Sequence, residues 1–492
     1  MSVLVLDIGS SSVRSSLWDE HGGSQGEAAQ LEHRARAAPD GTAELDPEGL
    51  LELVAQALDA AMETGPQVEA VAISTMWHSL LGLDGEGQPL TPVYTWADRR
   101  AAAAAARLRG ELDEDAVHQR TGCRLHSSYW PAKLAWLRET EPERFERVRT
   151  WISPGEYVQR RLLGDATASI SMASGTGLLD QRTCTWDEEL TRDIADRLPP
   201  IDDSPRSGLR PEWAERWPGL RDARWFPAWG DGACSNLGSG CGTLDRAALM
   251  VGTSGALRVL WRTEEVPEIT RGLWRYRADA QRVVIGGSLS DGGSVVAWLR
   301  RLTRLPEDAG EAERAIAAME PDAHGLTVLP LLSGERGPGW SDAAGATIGG
   351  LTPATEPLDL LRAGLEAVAL RFRLMELELS EALPGEREVV GTGGGLVNSH
   401  AWTQIMADAL GRPVALSEVD EGSSRGAALL ALEVLGHLER AEEVEAPLGE
   451  TFAPDPDRTE AYRGALERQV ALYDAVTSMP APQPPAGPAP VR

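Results

Sequence analysis

The sequence predicts a protein with more than one domain, built from both strands and helices, and three observations support that prediction. Its 492 residues exceed the length that one hydrophobic core usually supports, which favours two or three domains. A strand–turn–strand pattern, LDIGSSSVRSSLW at residues 6–18, recurs as LMVGTSGALRVLW at residues 249–261. Further along, in EVVGTGGGLVNSHAWTQIMADAL, an apolar strand enters a run of glycines and a segment with helical apolar spacing follows.

The charge balance restricts the partners of the protein. The chain has 75 acidic and 47 basic residues, so its formal net charge is −28. A field of that sign repels nucleic acid and anionic membrane surfaces, and neither is expected as a partner. An anionic small-molecule ligand needs local cations to bind. A solvated acidic surface that aids solubility is the more ordinary explanation of this charge.

Composition also predicts a cytoplasmic location. The four cysteines have neither the spacing of metal ligands nor the density of a disulfide framework. Asp7 interrupts the short N-terminal apolar run, which lacks the basic region of a signal peptide. No segment reaches the roughly 18 apolar residues of a membrane helix. Lys133 is the only lysine, which excludes the lysine-dependent Walker A and protein-kinase designs for binding ATP.

The recurring turn predicts a phosphate site. Backbone N–H groups in a turn of Gly, Ser and Thr converge on one spot and form a concavity that binds anions. Two such turns can hold one polyphosphate from two sides, although two unrelated hairpins would show the same pattern. Only the first turn follows an aspartate, because Met250 takes the place of Asp7 in the repeat. We therefore expect Asp7 to hold Mg²⁺ beside the phosphates.

Two further glycine-rich segments predict close contact with a ligand. The GTGGG segment lacks the spacing of a dinucleotide-binding turn, and its glycines let the backbone approach a flat adenine and ribose. In GGSLSDGGSVVAWLR, glycines again lead into the start of a helix, which favours negative charge.

Asp231 is the candidate for the chemistry. It lies between two glycines in GDGACSNLG, after an apolar strand and before a predicted helix. An aspartate in that place commonly caps the helix. The functional alternative is a base that accepts the proton of a substrate hydroxyl during phosphoryl transfer. Its position at the start of a helix predicts a low pKa for Asp231.

A polar and aromatic cluster in the first half of the chain predicts a surface that binds sugar. Aromatic faces pack on sugar C–H groups, while charged side chains bind hydroxyls or a carboxylate. Taken singly, each of these residues is also explained by ordinary packing or by surface exposure. The cluster comprises Trp77, His78, Trp96, Asp98, Arg99, His126, Tyr129, Trp130 and Lys133.

Together these motifs resemble the FGGY carbohydrate kinases, a branch of the actin/hexokinase/Hsp70 ATPase superfamily. The resemblance runs from residue 1 to about residue 440, through LDIGSSSVR, WADRR, GDGACSNLG, VGTSG, LLSGERGPGW, GTGGG and GSSRGAALLAL. It implies an α/β fold of two ribonuclease-H-like domains with a catalytic cleft between them. It also implies ATP-dependent phosphorylation of a sugar or sugar-acid hydroxyl, with Mg²⁺ as the metal. The expected division is an N-terminal sugar-binding domain at 1–240, a C-terminal nucleotide-binding domain at 241–440, a helical extension at 441–478 and a disordered Pro-rich tail at 479–492.

The resemblance also implies roles for residues at the matching motif positions. Asp231 stands at the place of the catalytic base, and Asp7 and Asp231 are the expected metal ligands. The expected substrate contacts are Trp77, His78, Trp96, Asp98, Arg99, Tyr129 and Lys133. The expected nucleotide contacts are Gly9, Ser10, Ser11, Ser12, Arg14, Gly252, Thr253, Ser254, Gly293, Gly394, Gly395 and Ser399.

Within the family, TMWHSLLGLD and HQRTGCRLHSSYWPAKLAWLR are most similar to the gluconate kinases, which predicts conversion of D-gluconate to 6-phosphogluconate. Arg99, Lys133 and His78 are the cations expected to bind the gluconate carboxylate. Xylulose-like or glycerol-like polyols are alternative substrates, and a non-catalytic ligand-binding protein on the same scaffold is the alternative of another class. The sequence leaves open whether the chain forms a homodimer. It also leaves open whether Asp291, which stands where relatives often have asparagine, weakens nucleotide binding.

Overall fold

Two large β-sheets, one in each half of the chain, are built on the same plan. The computed structural model describes residues 2–306 and 308–478, and its first sheet has six strands while its second has seven. The Pro-rich segment 479–492, which was predicted to be disordered, lies outside the described residues.

The first sheet is centred on the strand Val3–Ile8, all of whose residues are buried. This strand pairs antiparallel with Ser12–Trp18 and parallel with Ala70–Thr75. Residues 3–6 form a continuous apolar run because the sheet is covered on both faces. In order across the sheet, the strands are Arg224–Trp225, Ala70–Thr75, Val3–Ile8, Ser12–Trp18 and Ala29–Glu32, and Trp229–Gly230 also pairs with Ala70–Thr75.

The second sheet repeats this order around the strand Arg246–Val251. That strand pairs antiparallel with Gly255–Arg262 and parallel with Glu388–Thr392. In order across the sheet, the strands are Trp274–Arg277, Arg282–Leu289, Gly255–Arg262, Arg246–Val251, Glu388–Thr392, Val414–Ser417 and Leu448–Phe452. In both sheets the glycine turn joins the central strand to its antiparallel neighbour. The α/β fold that the family resemblance implies is therefore confirmed.

Each sheet carries its own hydrophobic core. The first core joins the first sheet to the helices Pro47–Met62 and Pro154–Leu163, and the second joins the second sheet to Pro357–Ala382 and His400–Leu410. The other helices are Ala102–Glu111, Glu114–Thr121, Trp130–Thr140, Pro142–Arg147, Ile170–Gly175, Glu188–Thr191, Pro211–Arg216, Asp231–Gly238, Gly293–Leu302, Ala309–Ala318, Gly394–Val397, Gly422–Leu435 and Pro456–Thr477. Smaller strands are Arg36–Ala37, Ala43–Leu45, Leu81–Leu83, Val93–Tyr94, Thr150–Ile152, Leu179–Asp180, Thr185–Trp186, Thr327–Leu329 and Thr347–Gly349.

Two helices cross where the halves of the chain meet. Asp231–Gly238 packs against Gly422–Leu435, whose buried residues from Ala427 to Leu432 belong to the first core. The crossing is closely packed, because a Cβ added at Gly426 would lie 1.8 Å from the carbonyl oxygen of Cys234. The helix Gly422–Leu435 thus returns to the first sheet after the chain has formed most of the second. The expected domain boundaries stay predictions.

None of the helices in the described ranges is both long enough and apolar enough to span a membrane.

Candidate active site

Three cavities follow one another, and consecutive cavities share wall residues; the first two are lined from both halves of the chain and the third from the second half. The first, of about 80 Å³, and the second, of about 330 Å³, have Asp231, Met250 and Arg258 in common. The second and the third, of about 400 Å³, share Gly394. We call them the substrate, central and nucleotide cavities, after the ligands that the family resemblance leads us to expect there. Such a row can hold a small acceptor, a chain of phosphates and a nucleoside in sequence.

Aromatic side chains dominate the wall of the substrate cavity. Trp77, Trp96, Trp274 and Tyr276 line it, and the Trp274 and Tyr276 rings stack with centroids 4.2 Å apart. Trp77 is held by a 3.0 Å hydrogen bond from Nε1 to the carbonyl oxygen of Ser171. Sugar C–H surfaces pack well on such faces.

Asp231 forms the boundary between the substrate and central cavities. It is the first residue of its helix, and Gly230 occupies the N-cap position, so Asp231 does not cap the helix. Its Oδ1 accepts a 2.8 Å hydrogen bond from the N–H of Gly232. Burial raises the pKa of Asp231 above its usual value, and the positive charge of Arg258 opposes that rise most. The expectation of a low pKa is therefore wrong, since burial outweighs the helix terminus. A raised pKa makes Asp231 a better proton acceptor.

His78 lines the substrate cavity but does not supply a positive charge there. Burial lowers its pKa to about 3, and the charges of Arg336 and Lys133 lower it further. Nδ1 donates to the carbonyl oxygen of Gly175 at 2.5 Å, so Nε2 of the neutral ring is an acceptor. The assignment of His78 as a cation is therefore wrong. Its φ of 68° is unusual for a non-glycine residue and fixes the ring at this wall.

Two arginines that the sequence reasoning did not assign supply the positive charge of the substrate cavity. Arg258 and Arg336 both line it. The Cζ atom of Arg336 lies 4.3 Å from the centroid of the Trp96 ring, and Nη2 donates to the carbonyl oxygen of Leu289 at 3.2 Å. Its buried Nε has no hydrogen-bond partner among residues 2–306 and 308–478. Both arginines stand in segments quoted above, the recurring turn and LLSGERGPGW, but the sequence does not show that these segments meet.

Four of the expected substrate contacts, Asp98, Arg99, Tyr129 and Lys133, do not line this cavity. The Asp98 carboxylate accepts hydrogen bonds from Arg100 and from the N–H of Ala43, which is 3.0 Å away. Arg99 donates to the carbonyl oxygen of Asp342 at 2.5 Å, and Lys133 donates to that of Ser128. These side chains are occupied in holding loops together.

Lys133 and Tyr129 lie behind the cavity wall. Burial lowers the pKa of Lys133 to about 7, so its charge is incomplete at neutral pH. The Tyr129 hydroxyl lies 2.5 Å from that of Tyr276, and its ring meets His78 edge to face with centroids 5.0 Å apart. Tyr129 thus supports two side chains that do reach the cavity.

The first glycine turn brings Arg14 to the central cavity. Gly9 donates its N–H to the carbonyl oxygen of Ser12 at 2.9 Å, which closes the turn and leaves Ser10 and Ser11 exposed at its tip. The antiparallel pairing of the two strands places Asp7 opposite Arg14, and Arg14 Nη1 lies 3.6 Å from Asp7 Oδ2. The turn itself does not appear in the wall of the cavity, whereas Arg14 does.

The carboxylates beside the central cavity suit a divalent cation. Burial raises the pKa of Asp7 to about 6, and the charges of Asp231 and Glu421 raise it further. Arg14 offsets part of this repulsion, because its Nη1 also lies 3.5 Å from Glu421 Oε2. Oxygen ligands with excess negative charge are the donor set that Mg²⁺ prefers. Asp7 and Asp231 therefore fit the expected metal ligands chemically.

One group of side chains has metal-ligand geometry within the described ranges, and it lies outside the three cavities. Asp322, His324 and Glu366 are the only such trio within the described ranges. His324 already uses both ring nitrogens, one donating to Glu366 at 2.9 Å and the other accepting from the N–H of Leu326 at 3.0 Å. Arg362 pairs with Glu366 as well, so hydrogen bonding accounts for this group.

The second glycine turn packs against the start of a helix. Gly293 donates its N–H to the carbonyl oxygen of Gly252 at 2.7 Å, and Ser294 donates to that of Thr253 at 3.1 Å. Ser254, at the end of the turn, lines the substrate cavity. The turn is thereby fixed between the helix Gly293–Leu302 and the cleft.

The nucleotide cavity contains four of the expected nucleotide contacts. Its wall combines glycines with apolar side chains, as a flat adenine requires. The wall residues are Gly293, Val296, Arg300, Ala309, Gly310, Ala312, Glu313, Ile316, Leu361, Leu365, Gly394, Gly395, Asn398, Ser399 and Trp402. Ser399 caps the helix His400–Leu410 and donates from Oγ to Glu313 Oε2 at 2.9 Å. Glu313, in Ala309–Ala318, had no signal in the sequence.

The hydrogen bonds of Asp291 join two segments of the chain, one at Ser294 and one at Ser333. Its Oδ2 accepts the N–H of Ser333 at 2.7 Å, and its Oδ1 accepts the hydroxyl of Ser294 at 2.8 Å. Burial raises the pKa of Asp291, and it lines none of the three cavities. The aspartate thus joins the helix Gly293–Leu302 to the segment that carries Arg336.

Sequence comparison identifies the family. The N-terminal domain of the FGGY family of carbohydrate kinases matches residues 2–205, and the C-terminal domain of that family matches residues 247–433. The chain belongs to the FGGY family of carbohydrate kinases. This FGGY kinase is therefore a phosphotransferase with ATP as its phosphoryl donor and a sugar-type small molecule as acceptor.

The similarity to named relatives covers nearly the whole chain of this FGGY kinase. A gluconokinase of Bacillus subtilis (strain 168) is 29% identical, with 94% of this chain and 93% of the relative covered. The crystal structure of gluconate kinase from Lactobacillus acidophilus has a TM-score of 0.88 at 25% identity, covering 97% of this chain and 99% of its own. Ligand-bound xylulose kinase from the same organism gives 0.87 at 25% identity, covering 97% and 98%. The two-domain fold is therefore shared, while the overall likeness does not separate the two substrates.

Proposed function

We propose that this FGGY kinase is a gluconokinase, which transfers the γ-phosphoryl group of ATP to the terminal hydroxyl of D-gluconate. The observation that carries the proposal is the charge of the substrate cavity. Arg258 and Arg336 line it, Asp231 is its one carboxylate among the described residues, and His78 is neutral. With Asp231 ionised, this wall keeps a net positive charge inside a chain whose formal net charge is −28.

An anionic substrate explains the second arginine. A neutral polyol needs hydrogen-bond partners but no counter-charge, whereas a carboxylate is bound best by an arginine. Arg336 is suited to that role, because Trp96 supports its guanidinium and its Nε is without a partner among the described residues. The gluconokinase of Bacillus subtilis among the relatives also favours this substrate.

Each residue has its own role in the proposed reaction. Asp231 accepts the proton of the substrate hydroxyl, the aromatic wall packs on the carbon chain, and Arg336 binds the carboxylate at the far end. Arg14 binds phosphates from the wall of the central cavity, while Gly293, Gly394, Gly395 and Ser399 surround the nucleoside. Asp7 and Asp231 would hold Mg²⁺, which supplies positive charge to the phosphates when it is bound.

The variant Arg336→Gln tests this assignment. Losing a charged hydrogen bond costs about 1.5–3 kcal/mol, so the KM for gluconate should rise by about 10- to 150-fold while the KM for ATP stays near that of the wild type. Any residual turnover of xylulose or glycerol should change much less. Arg99→Gln is the matched comparison, and its effect on the KM for gluconate should be clearly smaller.

Three results would contradict the proposal. A wild-type enzyme that phosphorylates xylulose or glycerol but not gluconate would assign the cavity to a neutral polyol. Equal losses on gluconate and xylulose in Arg336→Gln would show that Arg336 does not act through a carboxylate. Detectable sugar binding without any formation of ADP would favour the non-catalytic alternative.

A further inference from the structure

Arg258 occupies a position that the substrate site alone does not explain. It lies in the strand Gly255–Arg262, is 6% exposed, and lines both the substrate cavity and the central cavity. Asp231 shares this double position. A phosphoryl group that leaves a nucleotide in the central cavity for an acceptor beside Asp231 must therefore pass Arg258.

The guanidinium of Arg258 is fixed in orientation. Nε donates to Asn236 Oδ1 at 3.0 Å, and Asn236 Nδ2 donates back to the carbonyl oxygens of Arg258 and Cys241, both at 3.3 Å. Asn236 is fully buried in the helix that begins at Asp231. The arginine therefore loses little conformational freedom when it binds an anion, which is the condition for preorganised electrostatic stabilisation.

Part of the guanidinium has no partner. Nη2 of Arg258 is buried without a hydrogen bond, and the side chain forms no ion pair within 4.0 Å, in the part of the chain that the structure describes. A buried donor left without a partner costs free energy, and such a donor beside a cavity points to a ligand. Thr392 Oγ1 and Arg14 Nε are two more buried groups without partners on residues that line the central cavity.

The chain leaves room for this side chain beside the base. A Cβ added at Gly232 would lie 2.7 Å from Arg258 Nη1 and 2.6 Å from Trp77 Cζ3. Any larger residue after Asp231 would thus push Arg258 away from the boundary between the cavities. The glycine following Asp231 in GDGACSNLG is explained by this close approach.

We propose that Arg258 is a catalytic residue that binds the phosphoryl group during its transfer; this rests on the proposed kinase function of the same site. The oxygen of the substrate hydroxyl forms a bond to the γ-phosphorus while the bond from that phosphorus to the bridging oxygen of ATP breaks. ADP keeps the bonding electron pair, and Asp231 takes the hydroxyl proton. Arg258 stabilises the negative charge on the phosphoryl oxygens, which an arginine in such a position typically does by a factor of about 10³ or more.

Kinetics of Arg258→Gln test the proposal. We expect kcat to fall by about 100-fold or more, with the KM for gluconate and the Kd for ADP changed by less than about threefold. Arg336→Gln should give the opposite pattern, a raised KM with a smaller effect on kcat. A kcat within threefold of wild type, or a loss confined to the KM for gluconate, would overturn the proposal.

Binding of ADP with aluminium fluoride gives a readout that does not depend on turnover. This complex mimics the phosphoryl group in transfer, so the wild type should bind it more tightly with acceptor present than ADP alone. Arg258→Gln should lose that gain and keep its affinity for ADP, and Arg258→Lys should retain part of it. A full gain in both variants would contradict the role.

The role of Arg258 in phosphoryl transfer can be tested even if gluconate is not the substrate. If gluconate is not phosphorylated, the same variants are measured with the acceptor that does support turnover, because transfer past Arg258 does not depend on a carboxylate. Should Arg258→Gln fold poorly, Arg258→Lys replaces it, with ADP affinity reporting on the nucleotide site.

Discussion

Asp7 and Arg14 face each other across the first hairpin, with Asp7 Oδ2 3.6 Å from Arg14 Nη1. The same nitrogen lies 3.5 Å from Glu421 Oε2, so one guanidinium holds a carboxylate from each half of the chain beside the central cavity. The sequence places Asp7 and Arg14 on neighbouring strands through the glycine turn. This pairing links the first sheet to the phosphate path.

Arg14→Gln should therefore weaken the binding of ATP. The substitution removes a charged donor for phosphate and leaves the repulsion among Asp7, Asp231 and Glu421 without its counter-charge. A loss of about 10-fold or more in ATP affinity follows from one charged hydrogen bond. Calorimetric titration with ATP and Mg²⁺ measures it, with Arg14→Lys as the variant that should recover part of the affinity. Unchanged binding in Arg14→Gln would remove Arg14 from the phosphate site.

Gly426→Ala should destabilise the crossing of the two helices between the sheets. The added Cβ would lie 1.8 Å from the carbonyl oxygen of Cys234 and 2.5 Å from its carbonyl carbon, and backbone cannot swing away as a side chain can. We expect a loss of about 1–3 kcal/mol in unfolding free energy, as overpacking usually causes, and a lower kcat.

The control for this variant is Gly110→Ala, also in a helix. A Cβ at Gly110 meets no atom within 4 Å, so the helix propensity of alanine should leave stability equal or raise it by up to about 1 kcal/mol. Thermal unfolding of both variants gives the comparison. Similar melting temperatures for the two would show that the crossing adjusts without strain.

Glu156→Gln should stabilise the protein more at pH 8 than at pH 5. Burial raises the pKa of Glu156 from 4.5 to about 7, and its Oε1 has no hydrogen-bond partner among the described residues. Because the folded-state pKa is the higher one, the stability that the protonated side chain contributes is present below pH 4.5 and is lost as the pH rises through 7. The amide keeps an acceptor for the N–H of Ser153, which Glu156 binds at 2.5 Å, and carries no charge.

The expected gain at pH 8 is on the order of 1–3 kcal/mol, bounded by the size of the pKa shift. Melting temperatures of wild type and variant at the two pH values measure it. Glu156→Ala removes the acceptor for the N–H of Ser153, and this variant should be less stable than Glu156→Gln at both pH values. An equal difference between wild type and Glu156→Gln at the two pH values would show that Glu156 ionises without penalty in the folded protein.

Contiguous motifs predicted most of the fold and part of the site. The repeated turn at Gly9 and Gly252 indicated a strand–turn–strand unit in each half of the chain, and the GTGGG segment led to residues in the nucleotide cavity, because in each case the elements are consecutive in the chain. Asp231 was singled out for the same reason, since the glycines on both sides of it are adjacent in sequence.

The charges of the substrate cavity were harder to predict, because they depend on contacts between distant segments. Lys133 and Arg99 lie near aromatic residues in sequence, yet each is occupied by a backbone carbonyl outside the cavity. Arg258 and Arg336 reach the cavity from the second half of the chain. Burial decides whether His78 carries a charge, and the sequence does not give the burial of a single side chain.

The most direct test of the central claim measures ADP release with ATP and Mg²⁺ over gluconate, other sugar acids, xylulose, other ketopentoses and glycerol. Wild type and Asp231→Asn are compared on each acceptor, with binding of ATP as the check that the variant folds. We predict turnover on gluconate well above that on the neutral polyols, and loss of most of it in Asp231→Asn. Near-normal turnover in Asp231→Asn, or activity on a neutral polyol alone, would contradict it.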